Sequence, residues 1–541
     1  MHHGPLPLGK KLLRPDDEIV RHTPLPARPG PPSVVETHTA MVFLVGSRAY
    51  KAKKPVRYAF VDFHAPQERH AACQKEFALN QRLAPDVYRE VLEIREPDGS
   101  LRDAVLVMER LPAEMQLSHM VESGSDVSRE ITAIAHRMAS FHASVESEPQ
   151  IGFDGTAAPF ADFRAERTER SGIVDLPDGT RMADLWNENL SQLRTVAASG
   201  IEDCMGEIES LGSQYLRGRA PLLTRRVRDG RIRDGHGDLR CESVYCLDDG
   251  PRIIDCLEFD DRLRLLDGLC DISFLAADLD YRNRTAESAL LLSAYHEMSG
   301  DHFPSSLALF YKAYWATVRA KVAWITTSQG APQTENPLRW LVLARDYLAA
   351  STVRLVLIGG RPGTGKSMLA AGLGDDRGWT VLRSDEVRRQ IAPGDYSAFA
   401  TDFTYHTMLK EARELLVMGE PVILDATWSS EHYRRLARDL AEAASASVCE
   451  FECDADDRTV RARIGERTTR GDDFSEATVE VSKMIAERFD PWPEAHRVDT
   501  DQESGSLVEA VANLCRIHNG TPHLTSLLPY IQARSGEGAL R

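Results

Sequence analysis

Two groups of residues in this 541-residue chain have types and spacing suited to chemistry on phosphates. The first is Gly360-Arg361-Pro362-Gly363-Thr364-Gly365-Lys366-Ser367, with the apolar run RLVLIG ahead of it and MLAAGLG behind. Glycines at this spacing allow backbone conformations that a side chain would block, so successive N–H groups can turn toward phosphate oxygens. A helix starting at the loop adds the positive end of its dipole. In the pattern G-x4-G-K-S between a strand and a helix, Lys366 neutralises the β- and γ-phosphates and Ser367 ligates Mg²⁺. A Gly-rich turn without function is the bland alternative, and the flanking strand and helix weigh against it. The expectation is a nucleoside triphosphate site.

Further polar groups follow at intervals. TVLRSDEVRRQI reads as a strand ending at Ser384-Asp385, with Arg388 three residues on; PVILDATW ends in Asp425; Arg461, Arg463 and Arg467 share one helical stretch. This layout resembles the small-molecule and polynucleotide kinase branch of P-loop proteins. The resemblance implies Asp385 as base toward a substrate hydroxyl and Arg388 as an acceptor contact. It also implies Asp425 as the carboxylate that orients Mg²⁺, and Arg463 and Arg467 as cations of a lid. Taken singly, each has a plainer reading. An acid at a strand end often caps a helix, and arginines on an exposed helix are usually solvated.

The second group is His236-Gly237-Asp238, followed 17 residues after the aspartate by Asp255 in IIDCLEF and then by Asp267 and Asp271. This segment resembles the core of aminoglycoside- and choline-kinase-like phosphotransferases, which share the protein-kinase fold. The resemblance implies Asp238 as base toward the acceptor hydroxyl and Asp255 as a Mg²⁺ ligand. Where that family has an Asn as the second metal ligand, this chain has Ser243, whose hydroxyl reaches less far than an amide. Upstream, AYKAKKP places Lys51 and Lys53 on one strand face. One of them reaches the ATP phosphates, Lys51 being favoured, and Glu76 on the next helix is its ion-pair partner. Leu106–Leu111 matches a hinge strand that packs on adenine. Asp267 and Asp271 match supports of the catalytic loop, and His142 reads as a core histidine rather than a catalyst.

The elements that must carry these residues can be read from patterning. Met41–Val45 and Ala49–Lys53 form a hairpin around Gly46-Ser47. Helices are expected at 67–83, at 128–144 with Ser128 as N-cap, at 183–218, at 286–298, at 304–327 and at 338–350. From 353 onward strands and helices alternate as in an α/β domain, with strands Arg354–Ile358, Thr380–Arg383, Pro421–Leu424 and Ser447–Glu452. The helix at 338–350 runs almost directly into the first of these strands, which predicts two domains packed together rather than tethered. Residues 1–36 read as a flexible arm, 150–182 as irregular, and 520–541 as a disordered tail.

The length calls for more than one core, and 42% hydrophobic with 27% charged residues describes an ordinary globular chain. A net charge of −17 argues against nucleic acid as a partner. No apolar run suits a membrane and no signal peptide is evident, so a cytoplasmic location is expected. The nine scattered cysteines read as reduced structural thiols.

The fold class is therefore α/β and α+β multidomain. An aminoglycoside-phosphotransferase-like domain at 37–350 precedes a P-loop kinase domain with a parallel sheet at 351–519. As a whole the chain resembles bacterial fusions of these two domains, the second AAA-type or zeta-toxin-like. The implied activity is ATP- and Mg²⁺-dependent phosphoryl transfer to a hydroxyl of an unidentified small molecule or nucleotide. Two alternatives stand beside it. One is a single P-loop kinase regulated by a degenerate N-terminal domain; the other is a nucleotide-dependent stress or signalling switch. No protein partner can be inferred.

Overall fold

The computed structural model describes residues 30–37, 39–58, 61–145, 180–328, 335–470, 479–502 and 504–517. The expected irregular segment lies almost wholly, and the expected tail wholly, outside these residues. The chain forms two compact units, one of Met1–Arg137 with His236–Leu263 and the other of Met138–Gly235 with Arg264–Arg541.

In the first unit, β1 (Gly30–Glu36), β2 (Ala40–Gly46) and β3 (Arg48–Lys53) open the chain's described part. After the short pair β4 (Arg57–Tyr58) and β5 (Val61–Asp62) come α1 (Pro66–Asn80), β6 (Tyr88–Arg95) and β7 (Leu101–Glu109). The main sheet has the order β1-β2-β3-β7-β6 and its pairs are antiparallel. The β2–β3 hairpin turns at Gly46, whose φ of +59° suits glycine. Register sets Lys51 opposite Val42 and Leu106, and Ala49, Leu106, Met108 and Tyr88 form the packed face. Gly30–Glu36, expected as the end of a flexible arm, is instead an edge strand. Ser33 through Glu36 pair with Leu44 through Met41 and satisfy backbone groups that the β2 edge would otherwise expose.

The unit continues with α2 (Leu117–Glu122) and the start of α3 (Ser128–Ser144), and its later stretch forms the hairpin β9 (Val244–Leu247) and β10 (Gly250–Ile253). The α3 N-terminus differs slightly from expectation. Asp126, not Ser128, supplies the capping oxygen, accepting from the Ser128 N–H at 3.0 Å and its hydroxyl at 2.7 Å.

The second unit holds α4 (Thr180–Val196), α5 (Glu202–Arg228), the antiparallel pair β8 (Ile232–Asp234) and β11 (Leu265–Asp267), α6 (Gly268–Tyr281), α7 (Thr285–Ser299), α8 (Ser305–Ser328) and α9 (Pro337–Ser351). Helix spacing was expected to run unbroken through 183–218; a break at 197–201 divides it. The α4–α5 pair then closes tightly, for a Cβ on Gly212 would meet the Trp186 ring at 2.2 Å.

The same unit contains β12 (Arg354–Gly359), α10 (Lys366–Arg377), β13 (Thr380–Arg383), α11 (Ser384–Ile391), α12 (Ala398–Val417), β14 (Val422–Asp425), α13 (Glu431–Ala443), β15 (Ser447–Asp454), α14 (Asp457–Arg470), α15 (Val479–Glu487), β16 (His496–Asp499) and α16 (Ser504–Ile517). These five strands form a parallel sheet in the order β13-β14-β12-β15-β16. All six residues of β12 are buried, as an apolar central strand of a parallel sheet requires. The four expected strands are present; β16, too short and charged to stand out, is additional.

Helices and sheet of this unit share a seam. Arg219 is buried and donates to the Ala444 carbonyl. The Ser306 hydroxyl donates to the Gly419 carbonyl at 2.7 Å, and a Cβ on Gly218 would meet the Ala444 oxygen at 2.5 Å. In an exposed helix Gly→Ala gains about 1 kcal/mol. Here Gly218→Ala should instead lower stability by about 1–3 kcal/mol through overpacking, read as a lower thermal melting midpoint of the full chain.

Candidate functional site

In the P-loop region, β12 delivers the chain to Gly360, whose φ of +137° only glycine tolerates well. A Cβ there would strike the Cys453 carbonyl at 2.5 Å and the Thr364 hydroxyl at 2.7 Å. Gly365 (φ +84°) turns the loop into α10, so Lys366 and Ser367 open that helix. The loop is braced from outside. The Thr500 hydroxyl donates to the Thr364 carbonyl at 2.6 Å, and the Ser482 hydroxyl to the Pro362 carbonyl at 2.8 Å. Arg361 turns to Asp457 at 2.8 Å and to the Ala455 carbonyl at 3.0 Å.

Beside the loop, parallel pairing sets Ile358 and Arg383 opposite Asp425. Asp425 is buried, and one of its oxygens, Oδ1, has no hydrogen-bond partner among the described residues. Burial pushes its carboxyl pKa up, opposed by the Lys366 charge, the Ser367 hydroxyl and Arg383, whose Nε lies 3.8 Å away. A buried carboxylate with a vacant lone pair, next to a P-loop lysine and serine, has the donor set that Mg²⁺ takes. These residues fit the metal.

Asp385 occupies the first turn of α11 and is near enough to act electrostatically on Asp425. Arg388 lies on the same helix, bonded to the Asp395 carbonyl at 3.1 Å and to Thr401 at 3.4 Å, with its guanidinium 4.9 Å from the half-exposed Tyr396 ring. Arg463, expected as a lid cation, is anchored by Thr500 through bonds of 3.1 and 2.7 Å. It lies against Gly365 rather than swinging free. The Arg467 side chain lies outside the described residues. Thr500 and Arg383 escaped the sequence reading. Arg383 directly precedes Ser384-Asp385 and could have been found from strand register; Thr500 had no such signal.

In the first unit, Lys51 bridges Glu76 at 2.7 Å and Asp255 at 2.8 Å. Lys53 also reaches Glu76, at 2.6 Å, and pairs with Glu258. Glu76 thus serves two lysines. Burial would raise its pKa, but Lys51 and Lys53 override this and hold it at about 2. Both lysines are raised despite burial, Lys51 by Asp255 and Glu76, and Lys53 by Glu76 and Glu258. Of the two, Lys51 faces Asp255 and Lys53 is the more enclosed. Asn80 ties this helix to the Asp255 loop, accepting from the Cys256 N–H at 2.9 Å while donating to the Glu76 carbonyl. Asp255 itself has φ +61°, and its N–H donates to the Tyr88 hydroxyl at 3.2 Å.

His236 is fully buried and bonded to the Ile254 carbonyl at 2.9 Å. The Asp238 N–H donates to His236 Nδ1 at 3.2 Å, which fixes the loop. The Asp238 carboxylate is engaged by Arg240, a residue the sequence reading passed over. Ser243 directs its hydroxyl to the Asp238 carbonyl at 3.1 Å.

In the second unit, the supporting acids have separate tasks. Asp267 caps α6 through the Leu269 N–H at 2.9 Å and takes two 2.7 Å bonds from Arg226. Asp271 bonds His142, which is buried and also meets the Tyr295 hydroxyl at 2.9 Å. His142 sits in packing, as expected of a core histidine. The nine cysteines are all unbridged. Among the described residues no helix is long and apolar enough to cross a membrane.

Comparison with known proteins divides the chain differently, with one match drawing on parts of both units and the other lying within the second. Residues 44–306 match a family described as phosphotransferase enzyme family, and residues 355–492 match one described as AAA domain. Uncharacterized proteins of Mycobacterium tuberculosis and Mycobacterium bovis are 37% identical over 483 residues, 86% of this chain and 92% of theirs. Among solved structures, a choline/ethanolamine kinase family protein from Mesorhizobium loti is 16% identical, with a TM-score of 0.33 over 59% of this chain and 87% of that one. The APS kinase CysC of Mycobacterium tuberculosis is 20% identical, with a TM-score of 0.26 over 30% and 97%.

The doubly paired Glu76 makes a pH prediction. Its carboxyl is held below its ordinary 4.5, at about 2. Its stabilising contribution is therefore complete above pH 4.5 and is lost as pH falls toward 2. Glu76→Gln takes the shared carboxylate from Lys51 and Lys53, leaving them only Asp255 and Glu258, and should cost about 3–5 kcal/mol near neutrality. The gap in melting temperature between wild type and variant should narrow steadily as pH drops through that window.

Proposed function

Since the chain belongs to the family that joins a phosphotransferase-enzyme-family domain to an AAA-type P-loop domain, we propose that it is an ATP- and Mg²⁺-dependent phosphotransferase acting on a hydroxyl acceptor. The proposed domains are 37–350 and 351–519, and the main transfer site is the C-terminal one. The observation that carries this is Asp425, buried with a vacant oxygen beside Lys366 and Ser367, and with Asp385 within electrostatic reach.

In the proposed reaction Gly360–Ser367 wraps the triphosphate and Lys366 neutralises it. Ser367 and Asp425 hold Mg²⁺, which when bound screens charge on the phosphates. Asp385 accepts the proton of the acceptor hydroxyl as its oxygen bonds the γ-phosphorus. The bond from that phosphorus to the β,γ-bridging oxygen breaks, and its electrons leave with ADP. Arg388 orients the acceptor, and Arg463 adds positive charge against the loop. Such chemistry needs positioning and charge neutralisation more than covalent help from the protein. A pure switch has no use for Asp385 and Arg388.

A second reading draws on Asp238, whose carboxylate is already ion-paired with Arg240 at 3.0 Å. In it, the N-terminal domain binds nucleotide and regulates without transferring phosphate. Unchanged turnover in Asp238→Ala selects this version.

Asp385→Asn keeps size and polarity but cannot take a proton. It should lower kcat by about 10²–10⁴-fold while ATP affinity, measured by isothermal titration, stays within about threefold of wild type. Full turnover in this variant removes Asp385 from the proposed role.

A further inference from the structure

The N-terminal cluster carries an unusual cation. Three carboxylates near its catalytic loop are solvent-accessible and able to meet a nucleotide or metal: Asp255 (side chain 48% exposed), Asp238 (33%) and Glu242 (39%). Two of them are gathered by one guanidinium. Arg240 Nε and Nη2 meet Asp238 Oδ1 and Oδ2 at 3.0 and 3.4 Å, and Nη1 meets Glu242 Oε2 at 3.3 Å. Ser243, the next oxygen along, is 3% exposed and donates inward to the Asp238 carbonyl. The remaining carboxylate, Asp255, stands apart with Lys51 as its neighbour.

A divalent cation needs several oxygen ligands within about 2.0–2.6 Å. Around Asp238 that space is held by a guanidinium, a planar cation that stays charged at any working pH and forks onto phosphate as readily as onto carboxylate. Asp255 is instead bonded by Lys51 at 2.8 Å, and Lys51 is positioned to bind phosphate oxygens beside a metal.

We propose that the N-terminal domain binds a nucleoside triphosphate with a single divalent cation at Asp255, and that Arg240 supplies in fixed form the positive charge of a second. This rests on the reading that the N-terminal domain binds nucleotide, and it holds whether or not that domain transfers phosphate. Arg240 then moves from a carboxylate fork toward the phosphates when nucleotide enters, leaving Asp238 open to an acceptor.

The test uses the full chain carrying Lys366→Ala, which silences the P-loop site, and Mn²⁺ with the non-hydrolysable analogue AMPPNP as probes. Free Mn²⁺ is counted by electron paramagnetic resonance and nucleotide by equilibrium dialysis. The expected result is one Mn²⁺ per bound nucleotide. Ser243→Asn, which offers an amide oxygen of longer reach, should raise this to two. Arg240→Ala should weaken AMPPNP binding on the order of tenfold, the loss of one charge-assisted contact. Adding Ser243→Asn to Arg240→Ala should restore affinity through the second metal, a rescue that a purely structural arginine would not show. Two Mn²⁺ per nucleotide in the Lys366→Ala chain overturns the proposal, as does unchanged affinity in a folded Arg240→Ala variant. One nucleotide with two metals defeats this inference alone. No nucleotide at all defeats it together with the reading beneath it.

Discussion

Parallel pairing between β12 and β14 is the constraint on which the C-terminal chemistry depends. Because Ile358 and Asp425 share register, the strand that feeds the P-loop ends level with the strand that delivers the buried carboxylate. The glycine loop can then turn back over the end of the central strand, since Gly360 and Gly365 adopt conformations that other residues rarely take. A slip in that register would part Asp425 from Lys366 and Ser367. β15 serves from the other side, its Cys453 carbonyl packed where a side chain on Gly360 would stand. The site sits where strand order reverses on either side of β12, the usual place for a ligand in an open parallel sheet.

The N-terminal domain solves a different problem, that of burying charge. Glu76 is 1% exposed, and a lone carboxylate there would be neutralised by its surroundings. Lys51 and Lys53 keep it ionised, and Asp255 and Glu258 in turn offset the lysines. Such a network gives little net stability but holds its members in one arrangement. It thereby fixes Lys51 next to Asp255, linking the sheet, α1 and the loop after β10 (Gly250–Ile253) in a single polar cluster.

How much of this was legible beforehand depended on whether the residues concerned are neighbours in sequence. Gly360–Ser367 is contiguous, so its chemistry showed in the string itself, and four of the five parallel strands announced themselves as short apolar runs. The Lys51–Glu76 pairing could be anticipated because strand alternation and the following helix limit the partners. The choice between Lys51 and Lys53 could not, since both reach the same carboxylate. Arg240 was overlooked although it lies two residues from Asp238, because its role comes from a side-chain fork and not from spacing. Thr500 and the Arg463 anchor arise from contacts across tens of residues, where neither periodicity nor motif reports. The prolines and glycine of β1 mask a strand that forms only against the exposed edge of β2.

The central claim is that the P-loop site performs the transfer. It is tested most directly by incubating wild type, Lys366→Ala and Asp238→Ala in parallel with γ-labelled ATP, Mg²⁺ and a fractionated pool of small-molecule metabolites. The account predicts a labelled product from wild type that disappears with Lys366→Ala. Full labelling by Lys366→Ala, with loss in Asp238→Ala, would contradict it and move the main site to the N-terminal domain.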